Sequence, residues 1–304
     1  MIEKEVYLPL SQDLNPGLII RSQSGFFSVQ TGDGILVCKL RGRLKRGSKE
    51  GDLAAIGDRV FVCQIAGGEG LIESIEPRQR MISRLAPLPR GEYEQIIIAN
   101  PDQIVLVFAC AEPAPRMRML DRFLIIAEEQ SVPVLIVANK IDLVSMDFAR
   151  DLFDHYGELG YELIYSSVPN REGLAALQEQ LTGKISALAG PSGAGKSSLL
   201  NAIQPGLGLT IQNVSQSTGK GKHTTVSPEL FPLEGGGYVA DTPGLKALAL
   251  WDIEPEELDG YFPEMRALVA QCQFSDCTHV HEPDCAIIKG VEQGLIHPSR
   301  YDSY

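Results

Sequence analysis

Residues 190–197 read Gly190-Pro191-Ser192-Gly193-Ala194-Gly195-Lys196-Ser197, and this stretch decides the fold. It follows the apolar run Ile185-Ser186-Ala187-Leu188-Ala189 and precedes a helix-like segment from Ser198 to Ile203. The pattern Gly-x4-Gly-Lys-Ser between a strand and a helix predicts a phosphate loop whose backbone N–H groups, from Gly193 to Ser198, surround the β-phosphate at a helix N-terminus. We expect Lys196 to bridge β- and γ-phosphate oxygens and the Ser197 hydroxyl to bind Mg²⁺.

A second motif is typical of a loop that binds guanine. Asn139-Lys140-Ile141-Asp142 directly follows the apolar run 134–138. The Asp142 carboxylate can accept from both N1–H and the exocyclic amino group of guanine, whereas adenine offers no such donor pair, so GTP is favoured over ATP. We expect Asn139 to hold this loop against the phosphate loop and the Lys140 stem to cover the base. The backbone N–H groups of Ser166-Ser167 are expected to reach guanine O6.

The order of these two motifs is inverted. In an ordinary GTPase the phosphate loop precedes the base-reading loop, so the sequence predicts a circularly permuted GTPase over residues 100–249. Apolar runs at 104–108, 134–138, 162–165 and 185–189 alternate with helical patterns near 117–130, 147–158 and 171–182. Such βαβ alternation predicts a mostly parallel sheet covered on both faces.

Two further segments are expected near the γ-phosphate. Asp241-Thr242-Pro243-Gly244 follows the short strand 238–240, so Asp241 fits a ligand to a Mg²⁺-bound water and the Gly244 N–H a γ-phosphate sensor. The basic stretch 219–225, which ends in His223-Thr224-Thr225, is placed as the first switch. Thr225 is favoured as a Mg²⁺ ligand, with Thr224 as the alternative.

The catalytic assignment depends on the residue after Gly244. Many GTPases carry a water-orienting glutamine there, but this chain has Leu245, which neither donates nor accepts, so intrinsic hydrolysis should be slow. His223 is the candidate to orient water, and the alternative is that it contacts only phosphate or RNA. Lys196, Thr225 and His223 form the predicted catalytic set.

Residues 1–80 carry a different pattern, with short strand-like runs at 18–20, 26–29, 35–40, 59–62 and 70–75 separated by glycine turns. Five short strands predict a small closed barrel, with an OB-fold as the leading choice. The segment 39–49 is rich in cations, which suits contact with RNA phosphates, although it also suits a solvated hairpin tip. Its cations are Lys39, Arg41, Arg43, Lys45, Arg46 and Lys49.

Residues 81–99, with Pro87 and Pro89, are predicted to be a linker.

From about residue 250 the sequence predicts a small helical domain, 250–304, around a metal site. Three thiolates and one imidazole satisfy tetrahedral Zn²⁺ without an open position, which predicts a structural site. His281 is an alternative ligand to His279. The predicted ligands are Cys272, Cys277, His279 and Cys285. Cys38, Cys63 and Cys110 stand alone in apolar runs and are expected to be small buried side chains.

Composition limits the class of protein. The net charge of -12 is uneven: residues 1–80 hold 11 Lys/Arg against 10 Asp/Glu, and residues 81–304 hold 16 against 29. No apolar run approaches the roughly 20 residues of a membrane span, and the first residues have no secretory pattern. A cytoplasmic monomer is the expectation, and a reducing compartment favours metal over disulfides at the cysteine cluster.

Together these motifs resemble the ribosome-small-subunit-dependent GTPase family, RsgA. The resemblance covers nearly the whole chain, and it implies an N-terminal OB-fold, a permuted GTPase core and a C-terminal zinc domain. It also implies GTP hydrolysis stimulated by the small ribosomal subunit and its rRNA, a role in late maturation of that particle, and a catalytic role for His223. After Ser299-Arg300-Tyr301 a longer helix is expected than the chain provides before Tyr304.

Two other readings stay open. One is a permuted GTPase acting on the large subunit. The other is an RNA-binding assembly factor whose GTP is structural and rarely hydrolysed, which Leu245 keeps open.

Overall fold

The computed structural model describes residues 14–44, 52–65, 67–85, 94–207, 229–241 and 253–304. The predictions for Lys45, Arg46 and Lys49 lie outside these residues. Within the described ranges, no helix combines the length and apolar character that a membrane crossing requires.

The N-terminal domain is a closed five-stranded barrel, as predicted. Neighbouring strands follow the order β1-β2-β3-β5-β4, with β3 and β5 parallel and the β1–β4 pair closing the barrel. Alternate residues point inward, because successive side chains of a strand face opposite sides. Cys38 is one of these inward residues and is fully buried. The strands are β1 (Asn15–Gln23), β2 (Phe26–Thr31), β3 (Gly34–Leu40), β4 (Arg59–Gln64) and β5 (Glu69–Ile75).

The prediction that residues 81–99 form a linker is wrong. β6 (Met81–Leu85) and β7 (Glu94–Ala99) pair as an antiparallel two-stranded sheet. Its chain is tied to the barrel, because the Ala99 N–H donates to Ile56 O at 2.8 Å and Asn100 Nδ2 donates to Gly57 O at 3.1 Å. The prolines suggested a linker, but they fall between the two strands, and the second strand contains three consecutive isoleucines, Ile96 to Ile98, which favour a strand.

The central domain is a six-stranded sheet in the order β10-β9-β8-β11-β13-β12. All neighbouring pairs are parallel except β12–β13. Every residue of β8, β9 and β11 is buried, which explains why these runs are mostly apolar in sequence, each with a single polar residue. The strands are β8 (Gln103–Ala109), β9 (Val134–Asn139), β10 (Glu162–Ser166), β11 (Ile185–Ala189), β12 (Leu230–Pro232) and β13 (Tyr238–Asp241).

Helices connect these strands as the βαβ pattern predicted. The strand that leads into the phosphate loop, β11, lies in the middle of the sheet between β8 and β13, although three strands of this sheet precede it in the chain. The permutation therefore changes the order of the chain and leaves the phosphate loop at the centre of the sheet. The helices are α1 (Met117–Glu129), α2 (Met146–Glu158), α3 (Leu174–Leu181) and α4 (Lys196–Ile203).

The C-terminal domain is small and helical, as expected. It contains a 3-10 helix (Pro255–Tyr261), α5 (Pro263–Val269), α6 (Ala286–Glu292) and α7 (Pro298–Tyr301). Its apolar cluster includes Ile125 of α1, so this domain packs directly on the central domain.

A buried ionic network strengthens that contact. Arg300 of α7 is fully buried, and its Nη1 lies 2.6 Å from Asp121 Oδ1 of α1 while its Nε lies 2.6 Å from Glu264 Oε1 of α5. Tyr156 of α2 donates its hydroxyl to the same Asp121 oxygen at 2.8 Å. The C-terminal domain is thus held to α1 and α2 through its last helix.

Candidate nucleotide site and metal centre

The phosphate loop lies between β11 and α4, and two of its glycines are required by geometry. Gly190 has a φ of 132°, and a Cβ there would lie 2.1 Å from Val107 O. Gly195 has a φ of 97°, and a Cβ there would lie 2.3 Å from Asn139 Nδ2. Lys196 opens α4, and its Nζ lies 2.8 Å from both Gly190 O and Pro191 O. The ammonium group therefore lies over the loop, where phosphate oxygens are expected.

The base-reading loop follows β9 and contacts the phosphate loop as predicted. Asn139 Nδ2 donates to Ala194 O at 2.8 Å, and Ser166 Oγ donates to Asn139 Oδ1 at 3.0 Å. Asn139 and Ser166 are both buried, so these bonds are shielded from water. Lys140 adopts the left-handed conformation at φ 64°, and its Nζ contacts Glu112 O. One amide side chain thus joins the end of β9 to the end of β10 and to the phosphate loop.

The carboxylate expected to read guanine is held in place by a serine. Ser167 Oγ donates to Asp142 Oδ1 at 2.6 Å, and Asp142 itself is exposed. The Ser167 backbone N–H donates to Glu172 O at 3.1 Å, so the predicted contact of this N–H with guanine O6 competes with an internal bond. Contact of the Ser166 or Ser167 N–H with the base stays a prediction.

Sequence reasoning missed the turn that supports Ser166-Ser167. Gly173 has a φ of 69°, and a Cβ there would lie 2.1 Å from Tyr165 O, so only glycine fits. Together with the Ser167–Glu172 bridge, this turn fixes the end of β10. A glycine between a strand and a helix was the available signal.

The magnesium side of the site is described in part. Asp241 ends β13 and pairs in register with Leu188 of β11, two residues before the phosphate loop begins at Gly190. Ser197 lies in the first turn of α4. The other γ-phosphate predictions lie outside the described residues and stay predictions: His223, Thr224, Thr225, Gly244 and Leu245.

The predicted metal ligands come together in the C-terminal domain. The Sγ atoms of Cys272 and Cys285 are 4.0 Å apart, and the His279 Nδ1 lies 3.3 Å from Cys285 Sγ and 3.6 Å from Cys272 Sγ. With Cys277, the four ligand atoms lie within 4.8 Å of one another. Tetrahedral zinc with bonds of about 2.3 Å to sulfur would space two sulfurs by roughly 3.8 Å. The cluster therefore fits one tetrahedral ion, and it contains His279 rather than His281.

The cluster also has a supporting shell that the sequence did not reveal. Asp259 Oδ2 lies 3.0 Å from His279 Nε2, which leaves Nδ1 facing the sulfurs. Tyr301 of α7 donates its hydroxyl to His279 O at 2.6 Å. A carboxylate behind a histidine ligand orients the ring and raises its basicity, as in many zinc sites. Desolvation, above all other effects, raises the pKa of the Cys277 thiol to about 12.

The sheet order and the two joined loops define the class of protein, a circularly permuted P-loop GTPase. An N-terminal barrel precedes the GTPase domain, and a C-terminal domain with a Cys/His cluster follows it. Two family models match the chain, described as RsgA GTPase over residues 75–251 and RsgA N-terminal domain over residues 16–72. The chain belongs to the RsgA GTPase family, and it is a GTP hydrolase by class.

Individual relatives match this chain over almost its whole length. The small ribosomal subunit biogenesis GTPase RsgA of Gemmatimonas aurantiaca is 44% identical over 95% of this chain and 94% of its own. The crystal structure of YjeQ from Thermotoga maritima is 37% identical, covers 96% of each chain and gives a TM-score of 0.76. YloQ, described as a circularly permuted GTPase, is 32% identical with a TM-score of 0.72 and covers 96% of this chain and 93% of its own.

Proposed function

We propose that this GTPase binds the small ribosomal subunit, acts in its late maturation and hydrolyses GTP when the particle stimulates it. The observation that carries the proposal is the Asn139 bridge, which joins a guanine-reading loop and a phosphate loop in one site. The names of the relatives point to the small subunit as the partner. A cytoplasmic location, expected from the sequence, is part of this proposal.

The barrel supports an RNA partner. The β2–β3 hairpin presents Phe26, Ile35 and Val37 to solvent, and Phe26 is 46% exposed. Lys39 lies above the Phe26 ring, with its Nζ 4.8 Å from the centroid. An exposed aromatic ring beside a cation suits stacking of bases and contact with phosphates. Arg41 and Arg43 contribute less free charge than the sequence suggested, because both pair with Glu73.

In the proposed reaction the guanine base and the β- and γ-phosphates each have a named protein contact. Asp142, held by Ser167, selects guanine, and Lys196 binds the β- and γ-phosphates. Magnesium, held by Ser197 and Thr225 with Asp241 behind a bound water, would neutralise charge that develops on the phosphates. His223 is proposed to orient the attacking water, and the Gly244 N–H to sense the γ-phosphate.

The cysteine–histidine cluster is proposed to hold one structural zinc ion. Its donor set, its spacing and the Asp259 carboxylate behind His279 suit zinc with all four positions filled by the protein. The ion would fix the segment between α5 and α6, which contains all four ligands, and so position the C-terminal domain against the partner.

Turnover of GTP measured with and without purified small subunits tests the proposal, with large subunits as the comparison. We expect stimulation by small subunits only, and its loss in His223→Ala with GTP affinity retained. Stimulation by large subunits would favour a large-subunit factor. Lack of stimulation by either, with tight GTP retention, would favour the RNA-binding factor with structural GTP that Leu245 keeps open.

A further inference from the structure

Barrel strand β1 touches the GTPase sheet at its edge. Among the described strands, β12 lies at one end of the six-stranded sheet. Glu229, the residue before β12, forms an antiparallel β-bridge with Arg21 of β1. Their side chains also face each other, with Arg21 Nε 3.8 Å from Glu229 Oε2. The barrel is therefore joined to the sheet through the backbone as well as through a pair of charges.

An irregularity in β1 accompanies this contact. Ile19 pairs with Val29 and Arg21 with Ser28, so Ile20 is an extra residue in the strand. A bulge of this kind bends a strand and redirects its backbone groups. Ile19, Ile20 and Leu230 are all buried and belong to one apolar cluster that spans the barrel and the sheet. The barrel and the sheet therefore share a buried apolar core that includes residues of both strands, while the side chains of the ion pair are partly exposed.

The position of Glu229 connects this junction to the nucleotide site. β12 and β13 pair antiparallel with Leu230 opposite Ala240. Continuing that register by one residue sets Glu229 opposite Asp241, the predicted partner of the Mg²⁺-bound water. The ribbon is short, since β12 has three residues and β13 has four. A shift of the barrel at Arg21 would therefore reach Asp241 across a single pair of strands.

We propose that Arg21 and Glu229 are positioning residues that couple the barrel to the β12–β13 ribbon, so that partner binding by the barrel aligns Asp241 for GTP hydrolysis. The identity of that partner and the role of Asp241 rest on the proposed function, whereas the contact between the barrel and the ribbon rests on the β-bridge, the bulge and the shared apolar cluster. Neither side chain acts on the nucleotide directly.

Charge reversal tests the coupling with little risk to the fold, because both side chains are partly exposed, 46% for Arg21 and 37% for Glu229. Arg21→Glu and Glu229→Arg are each expected to lower subunit-stimulated kcat about two- to five-fold, the range of an exposed ion pair. The KM for GTP and co-sedimentation with the subunit should stay as in wild type. The double variant restores the pair with its charges exchanged, and it should recover most of the lost kcat. Arg122→Glu, on an exposed arginine of α1, is the matched control for added negative charge.

A second readout needs no ribosomal particle. If Asp241 is misaligned, the Mg²⁺ concentration for half-maximal basal turnover should rise about two- to five-fold in each single variant and return in the double variant. Wild type without subunit stimulation would refute the proposed function, and the Mg²⁺ series would still decide the coupling. A double variant no better than either single variant in both assays, or single variants that lose only subunit affinity, would overturn the coupling.

Discussion

Removal of the Arg300 side chain should uncouple the C-terminal domain from the GTPase core. The guanidinium is fully buried and bonds Asp121 and Glu264 at 2.6 Å each. It also lies above the Phe262 ring, with Arg300 Cζ 4.5 Å from the ring centroid. Desolvation lowers the pKa of Arg300, but the contacts with Glu264 and Asp121 outweigh it and raise the pKa above its ordinary value, so the group is charged when folded.

In Arg300→Ala two buried carboxylates keep their positions without their shared cation. Loss of one partner from a buried ionic network costs about 3–5 kcal/mol. We expect a decrease of this size in the free energy of unfolding, measured by urea titration with circular dichroism. Faster hydrogen exchange in α1 should accompany it, since α1 carries Asp121.

Two variants make this test specific. Arg266→Ala removes another ion pair between α5 and α1, in which Arg266 Nη2 lies 2.8 Å from Glu128 Oε2. Because Arg266 is 55% exposed, this substitution should lower the free energy of unfolding by only about 0–1 kcal/mol. The neutral triple variant Arg300→Met, Asp121→Asn, Glu264→Gln should recover much of the loss, because no unpaired buried charge remains. Equal losses in Arg300→Ala and Arg266→Ala, or no recovery in the triple variant, would refute the reasoning.

Four further predictions follow from single sites. Asp142→Asn should weaken GTP binding about 100-fold and favour xanthosine triphosphate, whose C2 oxygen can accept a hydrogen bond from the new amide. Competition binding with the two nucleotides checks this, and an unchanged base preference would contradict the assignment of Asp142 as the residue that selects guanine. Gly195→Ala, which combines φ 97° with a contact at 2.3 Å, should weaken nucleotide binding about tenfold or more, whereas Gly206→Ala faces open space and should bind as wild type. Asp259→Asn should lower zinc affinity about 10- to 100-fold in chelator competition, and an unaltered affinity would mean that the carboxylate does not support His279. Burial, followed by the charges of His297 and Arg300, lowers the pKa of His155 from 6.5 to about 4. The free energy of unfolding should therefore decrease as the pH falls from 6.5 towards about 4. His155→Phe keeps the ring stack, and its free energy of unfolding relative to wild type should rise by about 1–2 kcal/mol between pH 7.5 and pH 5. Parallel pH profiles of stability would contradict this.

Local patterns predicted most of the fold. The barrel strands, the βαβ alternation and the two loops follow from periodicity and from glycine spacing, which depend on neighbouring residues. Their ends meet in space because parallel strands share one carboxyl edge, so the sequence could predict a contact of Asn139 with the phosphate loop, and the bond to Ala194 O is such a contact.

The remaining features depend on pairing between distant residues. The β6–β7 ribbon escaped prediction because prolines between its strands resemble a linker. Asp259 lies twenty residues before His279 and carries no motif of its own. Arg300 is the least predictable, since arginine is almost never fully buried unless it is paired, and one of its partners lies 179 residues away.

The two flanking domains hold opposite halves of the central sheet. The barrel touches the β12 edge beside Asp241, whereas the C-terminal domain rests on α1 and α2, and α2 begins four residues after Asp142. GTP and GDP share a base and differ in the γ-phosphate. The predicted base reader thus lies in the half of the sheet that the C-terminal domain contacts, and Asp241, predicted to act beside the γ-phosphate, lies in the half that the barrel contacts.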